Sequence, residues 1–136
     1  MCSDGRPDVD ANGNRRFFAG AVADGYLQRN APAPGYAIVV WRGQHVADVS
    51  EMSEPDLFAY WAEVAQVARA LTDVFEPCHL NYDLLGNQVP HVHTHIVPRY
   101  LDDPCPNTPL QPWVLQTVPD KDLNHQVARL RSSLTS

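Results

Sequence analysis

Three histidines alternate with uncharged residues in the stretch His91-Val92-His93-Thr94-His95. Residues two apart share one face of a β-strand, so this spacing predicts that the three imidazoles line one wall of a sheet. The pattern fits three interpretations: histidines with only structural contacts, a metal site, or nucleophilic catalysis. In the last, a neutral imidazole attacks an electrophile while its neighbours bind or protonate the leaving group.

Side-chain amides precede the histidines closely. Asn81 lies in a predicted strand over residues 79–83, and Asn87 and Gln88 lie in a predicted loop over 84–90. Gly86 permits a turn that exposes backbone N–H groups. Uncharged donors beside nucleophilic rings suit a phosphate better than a divalent cation, which favours the catalytic interpretation.

The strands that must position these residues are predicted from short apolar runs. Residues 36–41 form a largely apolar stretch typical of a buried strand. Asp24-Gly25 is a strong hairpin signal, so we expect strands over 17–22 and 26–28 with the turn between them. His45 follows the end of the buried stretch and is expected to be a solvated loop residue.

Two helices are predicted downstream. Ser53 is a suitable N-cap, apolar residues recur at helical spacing for about five turns, and Pro77 ends that helix. Residues 120–134 carry a second stripe of apolar residues at helical spacing and are expected to form a final amphipathic helix.

Composition excludes several classes of protein. The chain has 136 residues, a hydrophobic content of 44%, a charged content of 19% and a formal charge of −6. The negative charge argues against nucleic acid or an anionic membrane as partner, and no run reaches the length of a membrane span. Three widely spaced cysteines do not suggest a disulfide framework. With no visible signal peptide, we expect a cytoplasmic protein.

By its motifs the sequence resembles the histidine triad (HIT) family of nucleotide-binding hydrolases and transferases, and in particular bacterial members related to dinucleoside polyphosphate hydrolases. The resemblance covers residues 15–115, between a flexible arm at 1–14 and a C-terminal helical tail at 116–136. It rests on four segments: Pro34-Gly35, Leu80-Asn81-Tyr82 before Gly86-Asn87, His91 to Val97, and Pro98-Arg99-Tyr100.

The resemblance implies an α+β fold, with a five-stranded antiparallel sheet, one long helix packed on it and a C-terminal helix. It also implies a homodimer, a nucleotide substrate whose base we expect to be adenine, and cleavage at the α-phosphate without a cofactor. His93 would form a covalent nucleotidyl-histidine, His95 would contact the α-phosphate and the bridging atom, and His91 would orient the site. The nucleotide and phosphate contacts would come from Asn81, Gln88, Asn87 and Gln28, the last at the ribose.

Two departures from the family pattern stand out. Many members carry a fourth histidine directly after the Pro-Gly turn, where this chain has Tyr36. A tyrosine hydroxyl can orient a neighbouring imidazole but does not relay protons comparably near pH 7, so we expect activity to persist with an altered rate or leaving-group preference. Some relatives hold zinc with a close cysteine pair, whereas here Cys2 is far from Cys78. We therefore expect no metal.

The sequence leaves three functional hypotheses open. The first is a hydrolase acting on a nucleotide phosphoanhydride or phosphoramidate. The second is a nucleotide-binding regulatory protein with weak or no turnover, which Tyr36 motivates, and the third is a metalloprotein that uses the three histidines as ligands. The leaving group stays open, and four apolar residues are candidates for either the base pocket or the core: Phe17, Phe18, Tyr26 and Leu27.

Overall fold

Five antiparallel strands form the main sheet of this protein. The computed structural model describes residues 7–104, 106–109 and 115–135. In spatial order the strands are β1, β2, β4, β6 and β5, and a separate two-stranded sheet pairs β3 with β7. Their bounds in chain order are Arg15–Ala19 (β1), Ala23–Leu27 (β2), Asn30–Ala31 (β3), Ala37–Trp41 (β4), His79–Asp83 (β5), His93–Arg99 (β6) and Gln116–Thr117 (β7).

Two helices complete the α+β fold, α1 at Glu54–Phe75 and α2 at Asp120–Leu134. Both were predicted. The Ser53 hydroxyl accepts a hydrogen bond from the backbone N–H of Asp56 at 3.3 Å, which caps the first turn of α1. The helix ends at Phe75, and the next residue, Glu76, leaves the helical conformation with a positive φ of 51°, directly before Pro77. No helix in the described part of the chain is long and apolar enough to cross a membrane.

The register of the sheet separates a front face from a rear face. On the front face, Tyr26 pairs with Ile38, Ile38 with His95, and His95 with Asp83. On the rear face, the buried Thr94 shares a hydrogen bond of 2.6 Å with the Tyr60 hydroxyl of α1. The helix therefore covers the rear face, and the alternate residues of β6, among them His93 and His95, lie on the front face.

The first hairpin turns at a different place from the one predicted. The sequence favoured Asp24-Gly25 as the turn, but both residues lie inside β2 and the chain turns at residues 20–22. The cause is a buried carboxylate on α1. Glu63 accepts hydrogen bonds from the backbone N–H groups of Ala21, Val22 and Ala23 at 2.8, 2.9 and 2.8 Å.

Asp24 is fully buried at its place in β2, against the prediction of a turn. Its Oδ1 lies 3.6 Å from a guanidinium nitrogen of Arg16 and 3.7 Å from one of Arg42. A buried charge needs such partners. Arg16 of β1 and Arg42, which directly follows β4, therefore allow an aspartate where the sequence alone indicates a turn.

Residues 7–14, part of the expected flexible arm, lie against the front of the sheet. The Tyr26 hydroxyl donates a hydrogen bond to the carbonyl of Pro7 at 2.6 Å, and the N–H of Arg16 donates to the carbonyl of Asp8 at 2.8 Å. The Asp10 side chain accepts from the N–H groups of Asn12 and Asn14, both at 2.9 Å. Hydrogen bonds thus hold this part of the segment.

Candidate functional site

The three histidines differ in their burial and in their hydrogen bonds. Strand β6 begins at His93, so the sheet places His93 and His95 on the front face, and that His91 lines the same wall stays a prediction. The His91 ring is 1% exposed, and its Nε2–H donates to the carbonyl of Trp41 at 2.5 Å. The backbone beside it is bonded as well, since the N–H of Val92 donates to the carbonyl of Val46 at 3.0 Å.

His93 has one ring nitrogen committed to the backbone. Its Nδ1–H donates to the carbonyl of His91 at 2.6 Å. A carbonyl only accepts hydrogen bonds, so the proton of the neutral ring is at Nδ1 and Nε2 keeps its lone pair. This is the tautomer that a nucleophilic imidazole requires.

His95 is paired with Tyr36. The Tyr36 hydroxyl lies 2.6 Å from His95 Nδ1, and the two rings stack with centroids 5.9 Å apart. Burial, aided by the Asp83 carboxylate, raises the pKa of Tyr36 to about 12, so the phenol keeps its proton. When the phenol donates to Nδ1, the neutral His95 ring carries its own proton at Nε2.

The rings of His93 and His95 lie side by side, with centroids 5.1 Å apart and planes at 62°. Burial lowers the pKa of His95 and the neighbouring His93 lowers it further, while Asp83 acts in the opposite direction. The lone pair on His93 Nε2 can attack a phosphoryl group, and the neighbouring proton on His95 Nε2 can stabilise the phosphoryl oxygens.

His45 joins this group, although the sequence suggested only a solvated loop residue. It is exposed, but its Nδ1 lies 3.0 Å from His91 Nδ1 and the rings stack with centroids 5.2 Å apart. The two residues are 46 positions apart in sequence, so only the fold brings them together. The one signal for His45 in the sequence was its position shortly after Trp41, where the apolar strand ends.

A cavity of about 390 Å³ opens on the front face beside the histidines. Ile38 and Val40 form its floor, directly next to His95 and His93 in the register. Tyr26 and Gln28 line one side, and the opposite wall comes from residues 7–14. Of the four candidates for the base pocket, Tyr26 lines this cavity, whereas Phe17, Phe18 and Leu27 belong to the core.

The residues predicted to contact the phosphates lie in different environments. The Asn81 side-chain carbonyl accepts a hydrogen bond from the buried Arg99 guanidinium at 2.7 Å, so that oxygen already has a partner. Asn87 and Gln88 are exposed in the loop between β5 and β6. That loop reaches the site at Gly86, which has a φ of 107° and lines a small crevice with His91 and His93.

The histidines are not arranged as a set of metal ligands. His91 Nε2 bonds the Trp41 carbonyl and His93 Nδ1 bonds the His91 carbonyl, so these two nitrogens already have partners in the protein. Within the residues that the structure describes, no group of three His, Cys, Asp or Glu side chains could hold a metal ion. Cys2, the cysteine considered for zinc, lies outside those residues.

Comparison with known proteins agrees with this geometry. Residues 25–102 match the HIT domain, and the Hit protein of Bacillus subtilis (strain 168) is 32% identical over 80 residues, which cover 55% of this chain and 54% of that protein. The chain therefore spans about half the length of the curated relative it matches.

Two solved structures illustrate the likeness of fold. A histidine triad protein from Bradyrhizobium japonicum superposes with a TM-score of 0.78 at 21% identity, over 89% of this chain and 90% of that one. The diadenosine triphosphate hydrolase of Plasmodium falciparum superposes with a TM-score of 0.67 at 12% identity, over 98% and 84%. With the HIT domain matching more than half of its residues, this chain belongs to the histidine triad family.

Proposed function

We propose that this protein is a nucleotide hydrolase or transferase that acts at the α-phosphate through a covalent nucleotidyl group on His93. The observation that carries the proposal is the 2.6 Å hydrogen bond from His93 Nδ1–H to the His91 carbonyl. This bond places the lone pair on Nε2, and the half-buried ring lies on the face that carries the cavity. Similarity to a diadenosine triphosphate hydrolase agrees with this chemistry.

In the first step, Nε2 of His93 attacks the α-phosphorus. A nitrogen–phosphorus bond forms while the bond from phosphorus to the leaving group breaks, and the leaving group takes the electron pair. The Nε2–H of His95 donates a hydrogen bond to the developing negative charge on the phosphoryl or bridging atom. In the second step, water attacks the same phosphorus and the nitrogen–phosphorus bond breaks. The electron pair of that bond returns to Nε2 of His93, the water loses one proton to the solvent, and the nucleoside monophosphate leaves.

The paired Tyr36 and His95 favour one kind of leaving group. A phosphoanhydride loses a stable polyphosphate anion that needs no proton, whereas a phosphoramidate loses an amine that does. The lowered pKa of His95 and the phenol at its Nδ1 keep this ring neutral near pH 7, so it donates a hydrogen bond but lacks a spare proton. We therefore propose phosphoanhydrides, such as dinucleoside polyphosphates, as the preferred substrates.

The cavity on the front face is the proposed nucleoside site. Ligand sites are concave and mostly apolar, with a few placed polar groups, and here Ile38 and Val40 provide the apolar floor while Gln28 provides the polar group. We propose that Gln28 meets the ribose, that the base is adenine, and that Asn81, Asn87, Gln88 and the backbone near Gly86 contact the phosphates.

We also propose that the protein is a homodimer. Strand β5 is an edge of the main sheet, and unpaired strand edges invite pairing with another chain. Large apolar side chains are exposed on or near it, with Tyr82 48% and Leu85 63% exposed, and Phe58 on α1 is 66% exposed. Replacing Leu85 with Asp should lower the mass measured by light scattering from that of two chains to that of one; a single-chain mass for the wild type would contradict the proposal.

Product analysis tests the function directly. The wild-type protein should release AMP from diadenosine tetraphosphate faster than from an adenosine phosphoramidate, and the variant His93→Ala should release none from either. If the nucleotide raises the melting temperature of the wild type but no product forms, the regulatory alternative replaces the proposed hydrolase.

A further inference from the structure

The contact between His45 and His91 fixes where protons can be. His91 Nε2–H donates to the Trp41 carbonyl at 2.5 Å, and the two Nδ1 atoms lie 3.0 Å apart. Two N–H groups cannot point at each other at that distance, so one proton is shared between the two Nδ1 atoms. In the neutral His91 ring the proton is at Nε2, and its Nδ1 accepts from the Nδ1–H of His45.

The chain between Trp41 and His45 is built to hold this contact. The Trp41 indole N–H donates to the carbonyl of Gln44 at 2.9 Å, which folds the loop back over the indole. A Cβ at Gly43 would collide with the same indole, so only glycine fits at that point. After His45, the Val46 carbonyl accepts a hydrogen bond from the N–H of Val92. The residues on both sides of His45 are therefore hydrogen-bonded.

The contact continues to the proposed nucleophile. The carbonyl that receives His93 Nδ1–H belongs to His91, and Trp41 and His45 anchor the His91 ring. If the ring lost its Nδ1 partner, the buried nitrogen would seek another donor, or the ring would turn and change its tautomer. Either change would move the carbonyl that orients His93.

We propose that His45 is a positioning residue for His93, acting through His91. Its Nδ1–H selects the Nε2–H tautomer of His91 and holds the His91 carbonyl where it accepts the proton of His93 Nδ1. The protein therefore uses a fourth histidine, placed outside the triad motif and not at the position after Pro34-Gly35 that the family pattern suggested. The kinetic part of this inference rests on the proposed function.

The test compares His45→Leu, which removes the donor, with His45→Asn, whose side-chain amide nitrogen can occupy the place of Nδ1. His125→Leu is the control, since His125 is an exposed residue of α2. Nitrogen-15 NMR of the imidazoles reports the tautomers, and rapid mixing with diadenosine tetraphosphate reports the rate at which the nucleotidyl adduct forms.

We expect His45→Leu to shift the His91 Nδ1 resonance and to slow adduct formation by about 10- to 100-fold, the range found when a metal-bound histidine loses the partner that orients it. Nucleotide affinity should be unchanged, His45→Asn should recover most of the rate, and His125→Leu should match the wild type. Unaltered His91 and His93 resonances in His45→Leu, or a wild-type rate of adduct formation, would overturn the inference.

The NMR comparison also separates this inference from the proposed function. If the wild type forms no adduct and no product, the proposed function fails, but the tautomers can still be measured. Changed resonances of both His91 and His93 in His45→Leu would then still support the positioning role, and unchanged resonances would refute it.

Discussion

Replacing Tyr36 with Phe removes one hydrogen bond from the site and little else. The phenyl ring keeps the stacking on His95, whose centroid lies 5.9 Å away, while the 2.6 Å contact from the hydroxyl to Nδ1 is lost. A buried hydrogen bond of this kind contributes about 1 to 1.5 kcal/mol. If that energy holds His95 in the Nε2–H tautomer in the transition state, the first step should slow by about 5- to 13-fold.

Substrate choice makes this prediction more specific. Without the phenol donor, the neutral form of His95 loses a partner and the ring is protonated more easily. The phosphoramidate, which needs a proton for its amine, should therefore lose less rate than diadenosine tetraphosphate. Tyr36→Phe should lower the ratio of the two rates, as measured by the release of AMP from each substrate under single-turnover conditions.

Tyr82→Phe is the matched control, since Tyr82 is exposed on β5 and pairs with Ile96, on the face opposite to His95. The phenyl ring keeps the apolar surface at the proposed dimer edge. This variant should leave both rates and their ratio at the wild-type values. A Tyr36→Phe protein with wild-type rates on both substrates would refute the role given to Tyr36, and the preference for phosphoanhydrides would lose its physical reason.

Three further predictions concern stability and titration. Glu63→Ala leaves three backbone N–H groups of the first turn without their carboxylate and should lower the free energy of unfolding by about 3 kcal/mol, measured with urea; Glu51→Ala, at an exposed site, should change it little. Asp24→Asn removes a buried charge between two guanidiniums and should cost about 1 to 3 kcal/mol in the same assay; no loss would contradict the structural role of this ion pair. An NMR titration should give His95 a pKa below 6.5 that rises in His93→Ala, because the neighbouring imidazole helps to lower it; a pKa at or above 6.5 in the wild type would contradict the burial of this ring. Since the folded-state pKa is depressed, the stability contributed by neutral His95 is complete above pH 6.5 and is lost as the pH falls through that pKa.

Features encoded in short stretches of sequence were predicted well. The Ser53 cap, the apolar stripe and Pro77 place α1 within a residue or two of its observed ends, and the predicted range of the last helix coincides with α2. The alternation from His93 to Ile96 also predicts the faces of β6 correctly. Each of these depends on neighbours along the chain, which a single sequence displays.

Features that depend on distant residues were missed. The hairpin turn moved because Glu63, more than 40 residues away, bonds its backbone. The burial of His91 depends on Trp41, 50 residues earlier, whose carbonyl bonds its ring, and the contact of His45 with the same ring also depends on the fold. The wall that residues 7–14 add to the cavity has no signal in their polar composition, since their hydrogen-bond partners lie on the sheet.

Intact-protein mass spectrometry after brief mixing with diadenosine tetraphosphate tests whether His93 is the nucleophile. The sample is quenched with alkaline denaturant, because nitrogen–phosphorus bonds to imidazole hydrolyse in acid. The wild type should carry a transient adenylyl group that decays as AMP is released, and His93→Ala should carry none. AMP released with no adduct at any mixing time, or an adduct that persists in His93→Ala, would contradict the assignment of His93 as the nucleophile.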